Sequence, residues 1–220
     1  MNKFAAILGA GAFALSTNAI ADVEFADHEE GGIGYEWTVT LPHHGTAQIT
    51  GSTGGKGSFE PTFEAPEFGW MHTTDWVALT LEGDSVLEIT VARQEGVYEK
   101  TVDRNDPSIQ GYRTSGAMLY PALSIYSGWE STMTEDASFN PAGNFVDGDG
   151  NPTTIEFMAV EYSKVGESTI TYRAIVPAGK YSVNIGGVNA LYCAEDDPCY
   201  NGAHGYRATF TASHAPTMQM

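Results

Sequence analysis

The sequence predicts an all-β chain folded as an antiparallel β-sandwich or jelly roll, and three observations predict it. Apolar residues recur with period two in run after run, as at Tyr35, Trp37, Val39 and Leu41. Strand side chains alternate faces, so such runs suit strands with one buried side. The runs are rich in β-branched and aromatic residues and are separated by Gly, Asn, Asp and Pro, the residues of turns. No window carries apolar residues three and four apart in the stripe of an amphipathic helix.

At the N-terminus, Lys3 precedes an apolar stretch from Phe4 to Leu15, and Ala19-Ile20-Ala21 is a small-x-small cleavage signal. The stretch is too short, and too broken by Gly9 and Gly11, for a good bilayer span. Residues 1–21 therefore read as a signal peptide and 22–220 as a single β-sandwich domain. Its destination is the periplasm, the cell surface or the medium. No later segment is apolar enough for a transmembrane span, so any surface or outer-membrane association would be peripheral.

In the mature chain, Ala47 and Ile49 continue the first alternating run after Pro42-His43-His44-Gly45. Trp76 to Leu81 follows, then Leu87, Ile89 and Val91 within Ser85 to Ala92. Leu119 to Tyr126, Thr153 to Tyr162, Ser168 to Ile175, Gly179 to Ile185 and Gly205 to Ala212 complete the set. About eight or nine strands suit one sandwich better than two domains. Leu81-Glu82-Gly83-Asp84-Ser85 and Val176-Pro177-Ala178-Gly179 read as hairpin loops. Asp147-Gly148-Asp149-Gly150-Asn151 superficially resembles a calcium loop, yet the twelfth position holds Met158 instead of Glu, and flanking helices are missing. It reads as a turn, with calcium a weak, incidental ligand. Gly51 to Ser58 reads as a flexible loop without phosphate-loop spacing.

Composition narrows the function. Hydrophobic residues make up 42% of the chain, enough for one sizeable core. The net charge of −18, from 28 acidic and 10 basic residues, excludes nucleic acid as a natural partner, since phosphate would be repelled. It favours solubility and attracts cations. The two cysteines, Cys193 and Cys199, are expected to form one disulfide, because an even count in an oxidising compartment pairs. There is no Gly-x-Ser-x-Gly elbow and no His-Glu-x-x-His, so no catalytic set can be assembled and the chain does not read as an enzyme.

The chemistry that remains lies in Gly69-Trp70-Met71-His72-Thr73-Thr74-Asp75-Trp76. Trp-x-His at the mouth of a strand puts an indole and an imidazole on one side of the backbone. That is half of a small metal site, or else a core aromatic beside a histidine that caps the strand entrance. Trp76 and Trp70 equally suit the aromatic anchors of a sandwich core.

The strand order, from Gly45-Thr46-Ala47-Gln48-Ile49 through Asp75-Trp76-Val77-Ala78-Leu79 and Ala178-Gly179-Lys180-Tyr181-Ser182-Val183 to Gly205-Tyr206-Arg207-Ala208, resembles the exported bacterial pre-peptidase C-terminal β-sandwich. More narrowly, Trp70-Met71-His72 ahead of the Asp75-Trp76 strand resembles the copper proteins of methanotrophs, of the MopE and copper-repressible CorA types. That resemblance implies an exported protein that captures or stores copper(I) without catalysis. In it Trp70 is oxidised to kynurenine and His72 is the first histidine ligand. The family's second histidine is expected where this chain has Tyr120, and there is none between His72 and His204. His204 is the first candidate for the missing ligand and His44 the second. His28 and His214, near the termini, rank lower. The competing reading is a non-catalytic sandwich module that binds a protein, a glycan or a surface component through Trp129 and exposed tyrosines, without copper.

Overall fold

The computed structural model describes residues 21–25, 35–55, 74–96, 98–103, 106–129, 143–147 and 149–214. The proposed signal sequence before Ala21, together with His28, Trp70 and His72, lies outside these residues. The described residues form the strands β1 Asp22–Phe25, β2 Trp37–Leu41, β3 Gly45–Gly54, β4 Asp75–Leu81, β5 Ser85–Arg93, β6 Tyr98–Asp103, β7 Asp106–Thr114, β8 Pro121–Ser127, β9 Gly143–Val146, β10 Pro152–Tyr162, β11 Thr169–Val176, β12 Gly179–Gly187 and β13 Ala203–His214. A seven-stranded sheet runs β1-β2-β4-β12-β8-β10-β9, a four-stranded sheet runs β11-β5-β13-β3, and β6 pairs with β7 alone. Every pairing is antiparallel except β2 with β4. The all-β sandwich expected from the alternation is the observed architecture. Its only helical pieces among the described residues are a 3-10 turn at Asn189–Leu191 and the short helix α1 Pro198–Asn201.

The core lies between the two larger sheets. From the seven-stranded sheet it takes Val39, Leu79, Leu123, Ile125, Val183 and Ile185, and from the other Ile49, Leu87, Ile89, Val91, Ala208 and Phe210. Each of these is 2% exposed or less, and fully burying one such aliphatic side chain is worth about 1.5–3 kcal/mol. The intervening residues of β4, β8 and β10 point the other way. There Trp76, Tyr126 and Ile155 form a second, smaller cluster on the outer face of the seven-stranded sheet. Trp76 is thus an aromatic anchor, as read, but of the outer layer.

Two connections differ from expectation. The turns after Leu81 and after Val176 join strands in different sheets, since β4 and β12 belong to the large sheet and β5 and β11 to the small one. They are arches across the sandwich, not hairpins. Val77, Leu79 and Leu81 thus meet Leu87, Ile89 and Val91 across the core, from opposite sheets. Pro42–His44 makes a third arch at the same end, from β2 to β3. Asp147 to Asn151 is a true hairpin, joining β9 to β10. Gly51 to Gly54, expected in a loop, continues β3 and pairs with β13.

Candidate metal centre

The six histidines are distributed by β13 more than by any other element. Its core-facing row reads His204, Tyr206, Ala208, Phe210, Ala212 and His214, all on one face by the period of two. It begins and ends with histidine. At about 3.3 Å per residue the two imidazoles stand roughly 30 Å apart, at opposite ends of the sandwich.

His204 sits at the end where β4 starts. It is 1% exposed, and pairs through the backbone with Thr53, whose hydroxyl donates to the carbonyl of Ile185, the partner of Asp75. Its Nε2–H donates to the carbonyl of Cys199 at 3.1 Å, and Nδ1 accepts from the Met118 amide at 3.4 Å. Gly116 and Gly202 press on the ring from either side: a Cβ on Gly116 would stand 2.6 Å from Nδ1, and one on Gly202 2.8 Å from Cε1. The strap at Gly116 is itself held, its amide donating to the Ala203 carbonyl and its carbonyl accepting from the Gly205 amide. Burial pushes the His204 pKa below its ordinary value, with the charge of Arg93 acting in the same direction, so the ring is held neutral. A metal on this imidazole would have to use Nδ1, and the 115–118 strap occupies that approach.

The rest of this end is tied down. Cys193 and Cys199 form the expected disulfide. The Asn189 side chain accepts from the Tyr120 amide at 2.8 Å and donates to the carbonyls of Met118 (2.8 Å) and Cys199 (2.7 Å). Tyr120 packs edge-on against Tyr192. Thr74 accepts from the Asn184 side chain at 2.6 Å, and Asp75 accepts from the Tyr206 hydroxyl at 2.6 Å. The structure therefore brings the β4 entrance, Tyr120 and His204 to one end. It takes His44 to the other.

That other end holds an arrangement the sequence reading missed. His43, His44 and His214 converge, with one nitrogen of each within 4.8 Å of the others. His43 Nε2 and His214 Nδ1 are hydrogen-bonded at 2.9 Å, and the ring centroids of His43 lie 4.7 Å from His44 and 5.1 Å from His214. His43 is half-buried, while His44 and His214 are exposed. The convergence follows from register. Ala212 pairs with Gly45 in the β13–β3 ladder, and continuing that antiparallel register two residues outward sets His214 opposite His43. His214 is the last residue of a twelve-residue strand, not part of a loose tail. The signal was present in the sequence as adjacent histidines before one strand of a pair and a histidine closing another; it becomes legible only once the pairing is known.

Near the same end, the turn read as a weak calcium ligand has a cation of its own. The Asp147 carboxylate accepts from the amides of Asp149 and Asn151, and Lys180 bridges to Asp147 at 3.2 Å and to Asp149. The Lys180 ammonium also lies 5.0 Å from the Trp129 ring centre. The backbone bond from Asn151, outweighing some burial, and the nearby Lys180 hold the Asp147 carboxyl below its ordinary pKa.

A two-sheet β-sandwich with its described histidines, His43, His44, His204 and His214, at its two ends is the class of molecule these residues define. No protein-family model matches the chain, and no curated protein matches it. Among solved structures it is similar to the surface-associated copper-binding protein CorA of Methylomicrobium album BG8, described as important in copper acquisition. That overlap has a TM-score of 0.45 at 12% identity, over 74% of this chain and 92% of the other. It is similar also to MopE, the secreted protein of Methylococcus capsulatus in which an oxidised tryptophan facilitates copper binding, with a TM-score of 0.39 at 10% identity, over 77% of this chain and 84% of that one. Identities this low carry no residue roles across. Among the described residues no helix is long and apolar enough to cross a membrane.

Proposed function

We propose that this chain is an exported, non-catalytic copper(I)-binding protein that captures or stores copper, with Trp70 oxidised to kynurenine and Trp70, His72 and His204 as its ligand set. The supporting observation is the shared end of the sandwich. Thr74, two residues beyond His72 in the chain, is tied to Asn184 beside the start of β4, and His204 starts β13 on the same side. Copper(I) suits few ligands, imidazole nitrogen among them. A carbonyl accepting from Nε2–H, as Cys199 does for His204, is the partner that orients metal-bound histidines. Ligation by Nδ1 also requires the 115–118 strap to withdraw.

One observation favours the competing module without copper: both nitrogens of His204 are already engaged by the backbone. Copper measured in untagged protein from its native host decides. About one copper per chain, lost in His72→Ala and kept in His214→Ala, with an oxidation mass on the peptide containing Trp70, supports copper capture. Copper-free protein with unmodified Trp70 overturns it.

A further inference from the structure

We infer that His43, His44 and His214 form a second metal site, at the end of the sandwich opposite His204, and that it takes a divalent first-row ion, copper(II) above the others. Three imidazoles supply three neutral nitrogen donors from two segments some 170 positions apart in sequence, His43 and His214 being separated by 171. The donors need little movement to bind. Imidazole nitrogen sits about 2.0 Å from such an ion, so two nitrogens at right angles stand about 2.8 Å apart and two opposed ones about 4 Å. His43 and His214 are already 2.9 Å apart, and all three are within 4.8 Å. The change required is exchange of one His–His hydrogen bond for three metal bonds, with a shift of the farther donor by about 1 Å.

The surroundings choose the ion. The three donors of the cluster are all imidazole nitrogens, none of which selects soft copper(I). Exposed imidazoles with free positions for water suit a tetragonal copper(II), which also heads the affinity order for nitrogen sites. The chain's net charge of −18 raises the local concentration of cations. The scaffold is firm on both sides: His214 pairs with Ser85 at the end of the β13–β5 ladder, two residues beyond Ala212, whose partner Gly45 ends the β13–β3 ladder. His43 packs its Nδ1 against Gly83 of the β4–β5 arch, where a Cβ would stand 2.6 Å away, leaving Nε2 as the donor atom. This site shares no residue with the proposed copper(I) site and does not depend on it.

The test uses the untagged mature protein with any native copper retained and counted. Copper(II) is added as its glycine complex, and uptake is followed by equilibrium dialysis and electron paramagnetic resonance. One further copper(II) per chain is expected, with hyperfine structure from imidazole nitrogens. His214→Ala and His43→Ala should each weaken uptake by roughly 10- to 100-fold. His214 is exposed and His43 only half-buried, so the variants should stay close to the wild-type melting temperature, which is measured alongside. His72→Ala should leave this copper(II) uptake at one per chain, so that either site can fail without the other. No copper(II) beyond the native content, or uptake and spectrum unchanged in the His43→Ala/His214→Ala double variant, overturns the inference.

Discussion

The two ends of β13 use the same side chain in opposite ways. At the β4 entrance, His204 is buried, neutral and clamped between two glycines, with the backbone taking both ring nitrogens. At the arch end, His214 is exposed and meets two other imidazoles. Without a metal, an imidazole surrounded by carbonyls and amides holds the fold together and must release a partner before it can bind one, while imidazoles at a rim need exchange only a bond among themselves. Burial, not the residue, separates the two roles.

The largest effect that separates the ends is on stability. His204→Ala leaves a cavity and strips the Cys199 carbonyl and Met118 amide of their partner, so it should cost about 2–4 kcal/mol. His214→Ala, at an exposed rim, should stay within about 0.5 kcal/mol. Urea unfolding of the two variants side by side measures this. Equal costs would break the contrast between a structural and an available histidine.

The next effect is on acid sensitivity. His204 has its folded pKa pushed below the ordinary 6.5, so the unfolded chain binds the proton more readily. Its contribution is complete above about pH 6.5 and declines as pH falls from there through the lower folded value. One group can change stability by at most about 1.4 kcal/mol per pH unit. The Asp147 turn works lower: its carboxyl is held below 3.8, so its contribution fades only as pH falls beneath that value. Acid should therefore loosen the His204 end first. Unfolding midpoints at a series of pH values, with His204→Gln as comparison, should show the upper step flatten in the variant; a step that persists would assign it elsewhere.

The sandwich itself was legible, because period two states which residues are buried, and Val77, Leu79, Leu87 and Ile89 are buried as the alternation requires. What alternation cannot state is which sheet a strand joins. The turns at Glu82–Asp84 and Pro177–Ala178 have the composition of hairpins and act as arches, since composition fixes a bend but not its partner strands. The same blindness hid the metal cluster. His43 and His214 are neighbours through the β3–β13 register, a long-range fact with no local trace. His204 lies at the β4 end, but neither that place nor its clamp by Gly116, Met118 and Cys199 has a local trace in the sequence; only the fold assembles them around it. Trp70 and His72 lie outside the described residues.

A smaller effect sharpens the arch end alone. Gly83→Ala would place a methyl 2.6 Å from His43 Nδ1, forcing the ring to shift away. Copper(II) affinity at the triad should fall by roughly tenfold, with the native copper content unchanged. An unaltered affinity would show that His43 is not held in place by the arch and that the triad is looser than its geometry suggests.

The smallest effect concerns the other cation of that end. Lys180 already supplies a positive charge to Asp147 and Asp149, and the Asp149 side chain is 67% exposed, so water screens much of the attraction. Lys180→Met should therefore move the melting temperature by no more than about 2 °C. Its informative consequence is for calcium. With the ammonium in place, one of the two carboxylate charges is balanced and the space between them is filled, so millimolar calcium should not change the melting temperature of the wild-type chain. Without it, Asp147 and Asp149 are left as two unbalanced carboxylates, the oxygen donors calcium prefers. A small calcium-dependent rise in melting temperature is then expected in the variant only. The same rise in the wild-type protein would mean that calcium displaces Lys180, and that the turn, like the triad, is a site open to a metal ion.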